Sequence, residues 1–108
     1  MNKKDNIFNN DSIKDFDFVF DKNVVSVFDA KSMLVMRMKD VGKTAQTEVP
    51  HMIKVSNDNK YWFTCFVGGN VFQKYSTLDN SLIAEAQIGG GSWNTFALST
   101  DGTKAYVV

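Results

Sequence analysis

His51 is the only histidine of this 108-residue chain. It is the residue best suited to chemistry, because an imidazole can ligate a metal or carry a proton near neutral pH. No second ligand stands at a metal-binding spacing from it, so the plainer reading is a structural hydrogen bond. Trp93 and Asn94 follow the run Gly89-Gly90-Gly91. An indole in such a loop could stack on a sugar or another flat ligand, with the amide beside it. Glu48 precedes Pro50-His51 and is a further candidate near the same place. Asp58 and Asp101, the latter followed by Gly102, sit in polar turns. An aspartate in such a turn caps its own backbone, and Asp-Gly is a hairpin pair; calcium would need more oxygen ligands close by.

Other chemistry finds no support. The triple glycine lacks the Lys-Ser/Thr and the strand-to-helix setting of a phosphate loop; a link between strands is the simpler reading, as Gly68-Gly69-Asn70 is for a hairpin turn. Cys65 is the sole cysteine, which excludes an internal disulfide, and its apolar surroundings make it a small core residue. Trp62, in the same stretch, reads as packing. There is no haem-attachment motif, no paired His-Cys spacing and no nucleophile elbow. These absences imply no catalytic residues, no metal and no cofactor.

Composition narrows the partners. Lys plus Arg (12) balances Asp plus Glu (12). The chain therefore has no basic footprint for nucleic acid and none for an anionic membrane. Apolar residues make up 44% and aromatic residues 13%, too many for a disordered segment. The start, Met1-Asn2-Lys3-Lys4-Asp5-Asn6, is charged, but no apolar stretch follows it, so no signal peptide is expected. No run is long enough to span a bilayer.

The elements that must position these residues are strands. β-branched and aromatic residues dominate the apolar runs, and no helical period is sustained. Short apolar runs alternate with Asn, Asp, Gly and Ser at roughly ten-residue spacing, the pattern of an antiparallel all-β protein. Strands are expected at Asp15–Phe20, Val24–Phe28, Met33–Lys39, Met52–Val55, Tyr61–Val67, Val71–Tyr75, Leu82–Ile88, Thr95–Leu98 and Ala105–Val108.

Two elements repeat. Asn23-Val24-Val25-Ser26-Val27-Phe28 matches Asn70-Val71-Phe72-Gln73-Lys74-Tyr75, 47 residues on, and Val41-Gly42 matches Ile88-Gly89. Met33-Leu34-Val35 falls near Leu82-Ile83-Ala84. Ser56-Asn57-Asp58-Asn59-Lys60-Tyr61 matches the stretch from Ser99 to Tyr106, with Ser56 and Ser99 43 apart. A worn third copy is read at Asp11–Phe16. One period holds four strands, and a four-stranded antiparallel sheet in about 40–50 residues is the unit of a β-propeller blade. Tyr61 to Val67 is nearly continuous in large residues, as befits a strand with a sheet packed on each side. The expected fold is all-β: about two four-stranded blades plus the first two strands of a third. It divides into a poorly defined segment at 1–10, a partial first blade at 11–47, a complete blade at 48–91 and the start of a third at 92–108. By the repeat, His51 and Asn94 begin innermost strands of successive blades and, with Trp93 and Glu48, lie near the channel mouth where propellers bind ligands.

Ser99-Thr100-Asp101-Gly102-Thr103-Lys104-Ala105-Tyr106-Val107-Val108 resembles the signature of YVTN-type propeller repeats, with Thr100 where that family usually has proline. Asn23 to Ala30 and Val49 to Ser56 resemble two further strands of the family, and Asn59 replaces the usual glycine of the Asp-Gly turn. The resemblance covers roughly residues 11 to 108. It implies a propeller of about six to eight blades, so the chain is expected to be a fragment, and its missing blades or self-association through exposed blade faces would cover its apolar surfaces. It also implies that the full-length protein works in the periplasm or at the cell surface. The functional expectation is a non-catalytic module that binds a protein or small-molecule ligand at the channel face. The alternative is part of a haem-, copper- or quinone-dependent or lactone-hydrolysing propeller whose active site lies mostly in other blades, an inference by fold analogy alone.

Overall fold

The computed structural model describes residues 23–44 and 48–108. The expected strand at 15–20 and the third repeat copy at 11–16 lie outside the described residues. Eight strands follow in order: β1 (Val24–Phe28), β2 (Val35–Asp40), β3 (Pro50–Val55), β4 (Tyr61–Phe66), β5 (Val71–Ser76), β6 (Leu82–Gln87), β7 (Phe96–Leu98) and β8 (Ala105–Val107). They form three antiparallel sheets: a β1–β2 hairpin, a β3–β4–β5–β6 meander and a β7–β8 hairpin.

The repeat read from the sequence is reproduced bond by bond. In the first hairpin the Val41 amide donates to Asn23 O, Asp29 N to Leu34 O and Met33 N to Asp29 O. The middle sheet repeats all three 47 residues later, as Ile88 N to Asn70 O, Ser76 N to Ser81 O and Asn80 N to Ser76 O. The register shift between Val27 and Phe28 recurs between Lys74 and Tyr75. The second element behaves likewise at its own offset of 43: Ser56 N to Tyr61 O and Asn59 N to Ser56 O become Ser99 N to Lys104 O and Gly102 N to Ser99 O. The first hairpin therefore corresponds to the second half of the meander, β5–β6, and the third to its first half, β3–β4.

This correspondence corrects two details. The strand expected from Met33 begins at Val35. Met33 has φ 61°, matched by Asn80 at 62°, so it is a left-handed turn residue; an apolar side chain at a turn position looked like the start of a strand. Tyr61 and Tyr106 are not equivalent either. The bond pattern pairs Tyr61 with Lys104, and Tyr106 falls where Phe63 stands.

Packing follows from alternation along the strands. On one face of the middle sheet Trp62, Phe66, Val71 and Tyr75 join Val25 and Val41 of the first hairpin segment in one core cluster. Trp62 stacks on Tyr75 at 4.3 Å between centroids, and its indole N–H donates to Asn80 Oδ1 at 3.1 Å. On the other face Phe63 and Phe72 stack at 5.7 Å, and Phe96 of the third sheet meets the Phe72 ring edge-on at 4.9 Å. Trp62, Cys65, Phe66, Val71, Tyr75 and Phe96 are all buried, so the meander has a neighbouring sheet on each side, as the continuous apolar run of β4 demanded.

Candidate functional site

The segments that carry the chain from one sheet to the next meet at one end of the middle sheet, where β3 begins and β4 ends. The crossover from β2 to β3 makes a tight path. Asn23 is buried and bridges it, its amide donating to Thr44 O at 2.7 Å while its Oδ1 accepts from Val49 N at 3.2 Å. Val49 has φ 51°, a strained state for a β-branched residue and one that the following proline further disfavours. Its carbonyl and that of Glu48 accept from Val67 N and Gly68 N, which holds it in place.

Glu48 is the centre of this path. It is 4% exposed, and its Oε2 accepts from the amides of Lys43 and Thr44 and from Thr44 Oγ1. Its Oε1 is buried without a hydrogen-bond partner. Gly42 and Gly69 leave room for the carboxylate: a Cβ on Gly69 would lie 2.8 Å from Oε1. A cleft of about 420 Å³ borders this region, lined by Lys43, Thr44, Glu48, Asn70 and Gly91 among others.

The other rim candidates lie on the next crossover. His51 is exposed, and its Nδ1 lies 2.7 Å from the Asn94 carbonyl oxygen. A carbonyl can only accept, so Nδ1 carries the proton and Nε2 is the basic nitrogen. Asn94 N donates to Val108 O, and its side chain meets Ser92 Oγ at 3.4 Å. Trp93 is half-buried; its indole N–H donates to Gly89 O at 2.9 Å and its amide to Phe66 O. The structure therefore joins His51, Asn94 and Trp93 at one seam between two sheets, while Glu48 is folded into the neighbouring crossover.

Asp58, Asp101 and Gly102 lie at the opposite end of the strands. Asp58 accepts from Ser56 Oγ at 2.6 Å and Lys60 N at 3.0 Å; Asp101 accepts from Ser99 Oγ at 2.8 Å and Thr103 N at 3.0 Å. Hydrogen bonds from Ser56 and Ser99, first among the causes, lower both carboxyl pKa values. Gly102 (φ 77°) and Asn59 (φ 61°) fill the same left-handed turn position. A cleft of about 380 Å³ opens beside these turns between the middle and third sheets, lined in part by Tyr61, Phe63, Lys74, Lys104 and Ala105.

One polar network had no signal in the sequence. Gln73 is buried inside an apolar-looking strand. Its Oε1 accepts from Tyr75 O–H at 2.6 Å and Gly42 N at 2.8 Å, and its amide donates to Glu85, which pairs with Lys43 at 2.8 Å. Burial pushes the Tyr75 pKa up to about 12, and the hydrogen bond from Lys43 leads in lowering that of Glu85. This network ties the first crossover to the middle sheet. Among the described residues no three His, Cys, Asp or Glu side chains group to hold a metal, and no helix is long and apolar enough to cross a membrane. No protein-family model matches the sequence, and no curated protein matches it.

Proposed function

We propose that the three sheets are consecutive blades of a YVTN-type β-propeller, and that the protein is a binding scaffold rather than a catalyst. The observation that supports this reading is the repeated hydrogen-bond pattern, kept at 47 residues for one half of the sheet and at 43 for the other. Sheets that repeat in this way and stack face to face are what a propeller needs. Binding in such arrays falls on the loops at one end of the strands, and here that end carries His51, Trp93 and Asn94. The ligand is a small molecule or a protein segment that uses the indole face and the free Nε2. By the family resemblance, the full-length protein acts in the periplasm or at the cell surface.

Indole fluorescence tests the binding end, because Trp62 is buried and Trp93 is the indole near the seam. A panel of simple sugars and short peptides is titrated, and a change lost in Trp93→Phe supports the reading. No response from any probe, with the fold intact by circular dichroism, would remove its support. The propeller architecture is tested separately by imaging: a ring of sheets around an axis is expected, and a compact sandwich would refute it.

A further inference from the structure

We propose that the ligand of the His51–Trp93 seam is a neutral sugar ring, which stacks on one face of the Trp93 indole while the indole N–H stays inside the protein. This deepens the binding reading above and rests on it.

The indole is fixed before any ligand arrives. Its N–H donates to Gly89 O at 2.9 Å, and the Trp93 amide donates to Phe66 O at 3.2 Å. Gly91 stands over the ring. A Cβ built on Gly91 would lie 3.4 Å from Trp93 Cε2 and 3.5 Å from both Cζ2 and Nε1. These are three adjacent ring atoms at nearly equal distance, which places that position above the plane of the ring and not at its edge. One face of the indole is therefore covered by its own loop, and the side chain is half-buried as a whole. With the N–H spent on Gly89, Trp93 offers a ligand no hydrogen bond. It offers the opposite face, a flat apolar surface already held in place.

The surroundings select the ligand class. No charged residue stands between Glu85 and Asp101. Lys43 and Glu48 share a cleft with Gly90 and Gly91, but both are engaged: Lys43 with Glu85, and Glu48 with the amides of Lys43 and Thr44. A phosphate, a carboxylate or an ammonium group therefore finds no counter-charge in this loop. The residues beside Trp93 are Gly90, Gly91, Ser92, Asn94 and Thr95, all small or polar. They form no second apolar wall of the kind that buries an aromatic ligand or the anchor side chain of a peptide. A sugar ring has one apolar C–H face and a rim of hydroxyls, and it needs only one such platform. The rim meets polar groups on the same seam. His51 is tied through Nδ1 to the carbonyl of Asn94, the residue after Trp93. Its basic Nε2 is left to accept a hydroxyl.

The full chain, labelled with nitrogen-15, is titrated with methyl β-glucopyranoside, methyl β-galactopyranoside and N-acetylglucosamine, and separately with phenol and the tripeptide Gly-Pro-Gly. Nuclear magnetic resonance follows the two indole N–H signals; that of Trp93 is the one lost in Trp93→Phe. At least one sugar is expected to shift the Trp93 ring signals saturably, with upfield shifts of its own C–H protons. The Trp93 N–H is expected to keep its protection from hydrogen exchange in the complex. Trp93→Ala should weaken binding roughly tenfold. Gly91→Ala, whose methyl falls on the covered face, should leave the affinity within about twofold. Loss of N–H protection on binding would overturn the face-only mode. A response to phenol or the tripeptide that depends on Trp93, with silence from every sugar, would overturn the sugar and leave the binding reading standing. Silence from all five probes in the folded chain would overturn this inference and remove the support for that reading together.

Discussion

Tyr75 and Phe28 occupy the same place in the repeat, yet Tyr75 is 2% exposed and Phe28 is 49% exposed. Both are aromatic, both follow the same register shift, and both stand before the same turn. The difference is the neighbour. Among the described residues the middle sheet has a partner on each face, and the first hairpin has one on a single face. The same holds at the other end, where Phe63 lies between rings and Tyr106, its equivalent, is exposed. Strand identity is thus local, written into each repeat, whereas burial is supplied by the next repeat. This is the physics of stacked-repeat proteins, in which stability is shared between units and their interfaces.

Truncation at the two equivalent positions is expected to give the largest difference in stability. Tyr75→Ala is expected to cost about 3–5 kcal/mol, the scale of other buried aromatic truncations. Phe28→Ala, in dilute chain, is expected to cost roughly 0.5 kcal/mol. Urea unfolding measures both, and equal losses would mean that Phe28 is covered in solution. A contrast between glycines comes next. Gly69→Ala places a methyl 2.8 Å from Glu48 Oε1 and 2.9 Å from Phe66 Cβ, with an expected loss of about 1–3 kcal/mol. Gly90 has nothing within 4 Å of the same position, so Gly90→Ala is expected to leave the melting temperature unchanged or slightly raised.

The Tyr75 pKa stands above its unfolded value, mainly through burial. Its contribution to stability is therefore present below about pH 10 and lost as pH rises through about 12. Phenolate absorbance should show a step near pH 12, and Tyr75→Phe should remove it. The smallest effect belongs to the turn aspartates. Asp58 and Asp101 have depressed folded pKa values, so their contribution is present above the unfolded value of 3.8 and lost as pH falls through the folded ones. Asp58→Asn together with Asp101→Asn should flatten the acid limb of the stability curve; an unchanged limb would show that these turns do not govern it.

The two repeat offsets were legible because turn residues announce themselves: Ser, Asp, Asn and Gly recur at fixed positions and form the same bonds in each copy. Met33 resembles a strand residue in the sequence because its role lies in its backbone angle, which an apolar side chain does not advertise. Glu48 stands three residues before His51 in the sequence, and nothing there indicates that Gly42 and Gly69 open a recess for its carboxylate. Gln73 was equally silent, since a buried amide in a strand is set by partners 12 and 31 residues away. The equivalence of His51 and Asn94, 43 residues apart, followed from the repeat. The indole bond to Gly89 did not, because a loop conformation decides it.

Between repeat-equivalent positions, Asp40 to Pro50 and Gln87 to Trp93, the two crossovers differ by the same four residues that separate the two offsets. The longer one, after β2, holds Glu48, Asn23's amide bridge and the strained Val49; the shorter one, after β6, holds the glycines and leads into Trp93. All the variation in repeat length is thus absorbed outside the strands, at one rim, while the opposite rim with its Ser-x-Asp turns keeps a fixed size. Evolution and engineers alike therefore have a tolerant side and an intolerant side of this molecule. Extra residues grafted between Gly89 and Ser92 should leave every strand in register, whereas a single residue inserted between Ser56 and Tyr61 would throw the following strand onto its wrong face.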